Sequence, residues 1–176
     1  MHSPPNRDID KNRAGSVKKT WLRKPRADLH IGPQTTTKTY LNPHDALTEI
    51  AYYQQVPWAC PTLLDADPQA GQLVIATGQP ATIADADGLL ELLEHLSSAH
   101  IHHRDVWVGN VISTPDGPKL IDWECGLYQV APSYDLHGPE TSGVPIPSIH
   151  TALGTGYAMW IGSDHPKSIE NMWGTN

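Results

Sequence analysis

Two short apolar runs, residues 111–113 and 119–121, flank Thr114-Pro115-Asp116-Gly117-Pro118. No other feature of the chain constrains its fold as tightly. Proline presets the first turn torsion and glycine admits positive φ, so the spacing predicts a tight β-hairpin. Asn110 stands at the entry of that hairpin and Asp122 at its exit. A hairpin brings its two ends together. An amide oxygen and a carboxylate then share one small space, a donor set suited to a hard cation such as Mg²⁺. Asp105 lies five residues before Asn110 on the same loop. From there it could face a hydroxyl delivered beside a metal-bound phosphate and accept its proton.

The rest of the composition mostly excludes. The chain has 176 residues, which suits one domain or a compact two-lobed one and is long enough to bury a real core. No run approaches the length of a transmembrane helix, and the first residues lack the apolar segment of a secretory signal. The two cysteines, Cys60 and Cys125, form no C-x-x-C pair and have no nearby base. They read as buried thiols of a reduced, cytoplasmic protein. His95, His100, His102 and His103 lack the H-E-x-x-H spacing of a zinc site. Charge is unevenly spread. Residues 1–26 hold eight of the twelve Lys and Arg against two Asp, a net +6, while the remainder carries −13. That split argues against a protein that coats nucleic acid. It leaves a basic segment on an acidic body.

Read in order, residues 1–14 form a polar arm. Residues 16–22 suggest a strand, 24–28 a turn, and the alternating TTTKTYL at 35–41 a second strand. Asn42 and Pro43 open a helix that runs to about Gln55 and stops before Pro57. Two short strands at 62–64 and 72–76 follow. Asp87 then caps a helix whose apolar face is Leu89, Leu90, Leu92, Leu93 and Leu96. After Asp122 there is one short helix near 166–173 in a Gly-, Pro- and Ser-rich tail. Segregated strands and helices predict an α+β fold.

His103-Arg104-Asp105-Val106-Trp107-Val108-Gly109-Asn110 fits H-R-D-x-x-x-x-N, and Leu120-Ile121-Asp122-Trp123-Glu124 is an apolar strand ending in Asp. Together these resemble the catalytic core of the protein-kinase-like superfamily over about residues 88–136. His103-Arg104-Asp105 is similar to protein kinases. Gly109-Asn110, Ile121-Asp122-Trp123-Glu124 and Pro132-Ser133-Tyr134-Asp135-Leu136 look more like the aminoglycoside- and choline-phosphotransferase branch. The resemblance implies a two-lobed kinase-like fold. Residues 15–80 would form the strand-rich lobe, and 81–176 a reduced second lobe. It implies ATP and Mg²⁺ as cofactors, Asp105 as catalytic base, and Asn110 and Asp122 as magnesium ligands. The adenine-reading hinge would fall near 77–80, with Thr77 and Gly78. It also requires a strand lysine holding the phosphates and a helix glutamate orienting it. Lys38 and Glu49 occupy those places. Otherwise they are an exposed strand lysine and a solvated helix glutamate.

The chain departs from the family pattern in four ways. There is no G-x-G-x-x-G, and only Gly15-Ser16-Val17 or Gly32 could lie over the phosphates. Glu124 replaces the glycine of D-F-G. Trp107 stands where Ser/Thr kinases carry a lysine. Only 54 residues follow Asp122. A reduced second lobe leaves little to build a closed acceptor pocket. The expectation is therefore a minimal Ser/Thr kinase acting on a protein hydroxyl, its own included, with a partner protein completing the short lobe. The alternatives are a small-molecule phosphotransferase and a non-catalytic kinase-like binding module. Within the tail, Gly154-Thr155-Gly156-Tyr157-Ala158-Met159 faintly resembles a kinase activation segment. Thr141, Ser142, Ser148, Thr151 and Thr155 offer phosphorylatable hydroxyls. Arg104 would contact a phosphorylated residue or pair with an acidic neighbour. Lys18, Lys19, Arg23 and Lys24 would cover nucleotide phosphates, bind an acidic partner, or form a solvated basic face.

Overall fold

A computed structural model describes residues 26–138 and 142–145. The expected first strand, the tail helix and the activation-like segment lie outside the described residues. So do Lys18, Lys19, Arg23, Lys24 and four of the five candidate phosphorylation sites.

The architecture is mixed α+β with antiparallel sheets. β1 (Ala27–Ile31) and β2 (Thr35–Tyr40) form a hairpin, followed by α1 (Pro43–Gln55), β3 (Leu63–Asp67) and β4 (Gln72–Ala76). These strands make one sheet in the order β1-β2-β4-β3. A two-residue strand, β5 (Gln79–Pro80), carries the chain into a second sheet with β7 (Val111–Thr114) and β8 (Gly117–Leu120). Between them lie α2 (Ala86–Ser98) and β6 (Ile101–His102). β6 pairs with β9 (Leu127–Tyr128), and α3 (Tyr134–His137) follows.

Local sequence accounts for most of these elements. The Asn42 side chain accepts from the His44 amide at 3.2 Å, and Pro43 occupies the first turn of α1, where its missing N–H costs nothing. The expected hairpin forms as β7 and β8, with Thr114 opposite Gly117 and Gly117 at φ 96°. α2 buries Leu89, Leu93 and Leu96, with Leu90 and Leu92 packed at the edge of the core. One apolar core runs through both parts of the chain, joining Tyr40, Ile50 and Leu73 to Leu93, Leu120 and Leu136.

Two expectations are corrected. Residues 24–28 were expected to turn, but Ala27 and Asp28 begin β1, because β2 offers it a ladder from Ala27–Tyr40 to Ile31–Thr36. Helix α2 is not capped by Asp87, which lies inside its first turn. The start is built one turn earlier, where Thr82 and Asp85 form a reciprocal capping box.

Candidate functional site

A cavity of about 460 Å³ opens between the four-stranded sheet and the β7–β8 hairpin. Its apolar walls include Leu29, Ile31, Ile75, Ile112 and Ile121, and Trp107 stands at its edge. Its charged and amide members are Lys38, Glu49, Asn110 and Asp122, with the hydroxyls of Thr36 and Thr77. The cavity thus joins an apolar slot to a charged end.

Lys38 reaches the cavity because strand residues alternate faces, which turns Lys38 and Tyr40 inward together. It is 8% exposed and Glu49 is 1% exposed, which rules out an exposed lysine and a solvated glutamate. The ammonium donates to Glu49 Oε2 at 2.8 Å and to Asp122 Oδ1 at 2.6 Å. Burial works against its charge, but Glu49 and Asp122 outweigh burial and raise its pKa. The other oxygen of Glu49 accepts the Asp122 backbone N–H at 3.1 Å. Helix α1 is thus bound both to the strand lysine and to the chain leaving β8.

The hairpin brings its ends together as expected. The Ile121 N–H donates to the Asn110 carbonyl at 3.0 Å. The Asn110 side-chain nitrogen donates to the Asp105 carbonyl at 2.9 Å and to Asp105 Oδ2 at 3.0 Å. Asn110 therefore orients Asp105, and its amide oxygen is the atom it can offer a cation. With the Asp122 carboxylate this gives two hard oxygen donors on one cavity, a set that fits Mg²⁺. Asp122 and Arg104 adopt left-handed backbone at φ 64° and 67°. Such strain persists only where the surroundings over-determine it.

Asp135 supplies that determination at Arg104. Buried in the first turn of α3, it accepts the His103 N–H at 2.6 Å and the Arg104 N–H at 2.7 Å. Burial raises its pKa, opposed by His103 and by those two amides. The His103 ring bonds the Ile121 carbonyl at 2.8 Å and meets Trp123 edge-on, so it braces the loop against the far end of the hairpin. Among the described residues Arg104 pairs with no carboxylate. It donates to the carbonyls of Cys125 at 2.5 Å and Pro145 at 3.0 Å.

Thr77 and Gly78 line the cavity. The Thr77 N–H, however, is taken by the Gln34 carbonyl at 2.9 Å, and its hydroxyl donates to Gly32 O at 3.0 Å. The β1–β2 turn is thereby fastened to this end of the cavity, so Gly32 does not cover the Lys38 end. A side chain at Gly78 would meet Ile112 Cδ1 at 2.7 Å and Ser113 O at 2.9 Å. The backbone can pass so close to β7 only as glycine. Gly109 is similarly confined, because the Trp107 ring lies across it.

Three participants escaped the sequence reading. Tyr40 donates its hydroxyl to Glu49 and lies 3.2 Å from Glu124 Oε2, with its ring 4.7 Å below the Lys38 ammonium. Its signal was available, two residues from Lys38 on an alternating strand. Glu124 joins the cluster, and burial raises its pKa, opposed by Lys38 and reinforced by Asp122. Nothing local linked Asp135 to the loop it holds. Among the described residues no group of His, Cys, Asp or Glu forms a metal cluster of three or more, and His95 instead stacks on Trp58 at 4.2 Å. Cys60 and Cys125 are both free and buried. No described helix is long and apolar enough to cross a membrane. No protein-family model and no curated protein sequence matches the chain.

Proposed function

We propose that the protein is an ATP- and Mg²⁺-dependent phosphotransferase of kinase-like two-lobed fold, acting on a protein hydroxyl. The observation that carries this reading is the contact set Glu49–Lys38–Asp122 beside Asn110 and Asp105, all on one cavity or one hydrogen bond from it. Those five residues come from a strand, a helix, a loop and both ends of a hairpin. A solvated surface gives no reason to assemble them.

In this reading the apolar slot takes the base, and the Lys38 ammonium contacts the phosphates. Asp122 and Asn110 hold Mg²⁺, which supplies neutralisation of phosphate charge when bound. Glu49 keeps Lys38 oriented, and Asn110 keeps Asp105 oriented. The Asp105 carboxylate would accept the proton of the acceptor hydroxyl as that oxygen bonds to the transferred phosphorus and the bridging P–O bond breaks, releasing the nucleoside diphosphate. Phosphoryl transfer needs little covalent help from a protein, so positioning and charge account for the catalysis. Tyr128 and Val130 stand 66% and 74% exposed beside the strand that enters the catalytic loop, and they offer an extended peptide apolar contacts.

The test is incorporation of labelled γ-phosphate into a panel of proteins, the protein itself and small alcohols. Wild type should transfer label, whereas Asp105→Ala and Asp122→Ala should lose nearly all of it. Equal incorporation by all three would end the assignment. Label on small alcohols alone would move the acceptor to the small-molecule class.

A further inference from the structure

Among the described residues the β1–β2 turn leaves the Lys38 end of the cavity uncovered. The register of β1 on β2 sets Ile31 against Thr36, Leu29 against Lys38 and Ala27 against Tyr40. The β1–β2 turn therefore lies at the Thr77 end, and the start of β1 lies at the Lys38 and Tyr40 end. Arg26 stands there. Its carbonyl accepts the Leu41 N–H at 2.9 Å, which fixes its backbone beside Tyr40. Its guanidinium reaches Glu124 Oε1 at 3.5 Å. The other oxygen of Glu124 lies 3.2 Å from the Tyr40 hydroxyl, which in turn donates to Glu49. Arg26 thus ends a chain of contacts that runs to Lys38 and Asp122.

The described residues contain four lysines and arginines. Lys38 sits between Glu49 and Asp122. Arg104 spends its guanidinium on two backbone carbonyls. Lys119 donates to the Trp58 carbonyl and lines a separate cavity with Thr114 and Asp116. Arg26 alone keeps a side chain 51% exposed beside the acidic cluster. Its ion pair is long at 3.5 Å, and the Arg26 side chain is half in water while that of Glu124 is 16% exposed, so the pair holds Arg26 only weakly. A planar guanidinium also matches phosphate geometry better than an ammonium does.

We infer that Arg26 is a phosphate-binding residue of this site, exchanging its contact with Glu124 for the terminal phosphates of the nucleotide. This inference rests on the phosphotransferase reading above. It gives one side chain the charge-neutralising part that backbone N–H groups of a glycine-rich loop play elsewhere.

The experiment compares binding of adenosine and of ATP, each with Mg²⁺, to wild type, Arg26→Ala and Arg26→Gln by calorimetry. Thermal melts confirm that each variant is folded. Arg26→Ala should weaken ATP about tenfold and leave adenosine within about twofold, the loss of one charge-assisted hydrogen bond. Arg26→Gln should match it, because the missing property is charge. An unchanged ratio of ATP to adenosine affinity, or equal weakening of both ligands, would overturn the inference while leaving the phosphotransferase reading in place. Failure of wild type to bind either ligand would remove that reading and the inference with it.

Discussion

The Lys38 ammonium stands 2.6 Å from Asp122 Oδ1 across 84 residues of sequence, and Glu49 holds both partners. The two contacts of Lys38 differ in burial, since the Asp122 side chain is 42% exposed and that of Glu49 only 1%.

That difference separates stability from function. Lys38→Met leaves a buried glutamate without its cation, and the expected loss is about 3–5 kcal/mol. Asp122→Asn keeps the Lys38–Glu49 pair and removes only a half-exposed partner, an expected loss under about 1 kcal/mol. Urea denaturation reads the two values. Both variants should lose phosphate transfer, although only one is destabilised.

Asp135 accepts two backbone N–H groups of the loop that leads to Asp105. An asparagine in its place accepts through one oxygen and sets an NH₂ group against the second amide. Asp135→Asn should cost about 2–3 kcal/mol. It should also speed amide hydrogen exchange at His103 and Arg104 more than in the strands. Unchanged exchange at those two positions would remove the positioning role.

The thiols report on packing. Burial raises the Cys125 pKa to about 11, and burial also raises that of Cys60. At pH 8 only about one Cys125 in a thousand is thiolate, the reactive form, and access is closed as well. Since the fraction grows as pH rises toward the pKa, reactivity should increase tenfold per pH unit in this range. A thiol reagent at pH 8 should label neither cysteine in the folded protein and both in urea. Fast labelling without denaturant would contradict the core described here.

Gly78 tests the Thr77 end of the cavity, where the proposed function seats the base. A methyl group there meets β7 backbone and the Ile112 side chain inside contact distance. Gly78→Ala should cost about 1–3 kcal/mol through overpacking and should weaken adenosine as much as ATP. That equal effect distinguishes it from the phosphate-end substitutions.

Much of the fold was legible because it is locally encoded. The Asn42-Pro43 start of α1, the leucine face of α2 and the Pro-Asp-Gly hairpin each depend on residues within one turn or one strand of each other. The candidate set Asp105, Asn110 and Asp122 was legible for the same reason, since a hairpin joins its own ends. β1 was missed because an edge strand with Leu29 and Ile31 exposed has no core face to advertise it, and only the partner strand defines it. The start of α2 was misplaced because a 3₁₀ turn carries the capping residues one turn upstream.

By itself, then, the sequence determined that the loop and hairpin would bring the candidate residues Asp105, Asn110 and Asp122 together. Tertiary structure decided what holds them. It set Asp135 under the loop, spent Arg104 on carbonyls, tied Thr77 to the β1–β2 turn and linked Tyr40 and Glu124 to the lysine cluster. The contacts Arg104–Asp135, Arg104–Pro145, Thr77–Gly32 and Tyr40–Glu124 each span more than 30 residues. Periodicity and turn chemistry report only on neighbours along the chain, whereas burial and charge pairing depend on which distant groups the packed elements place within a few ångströms.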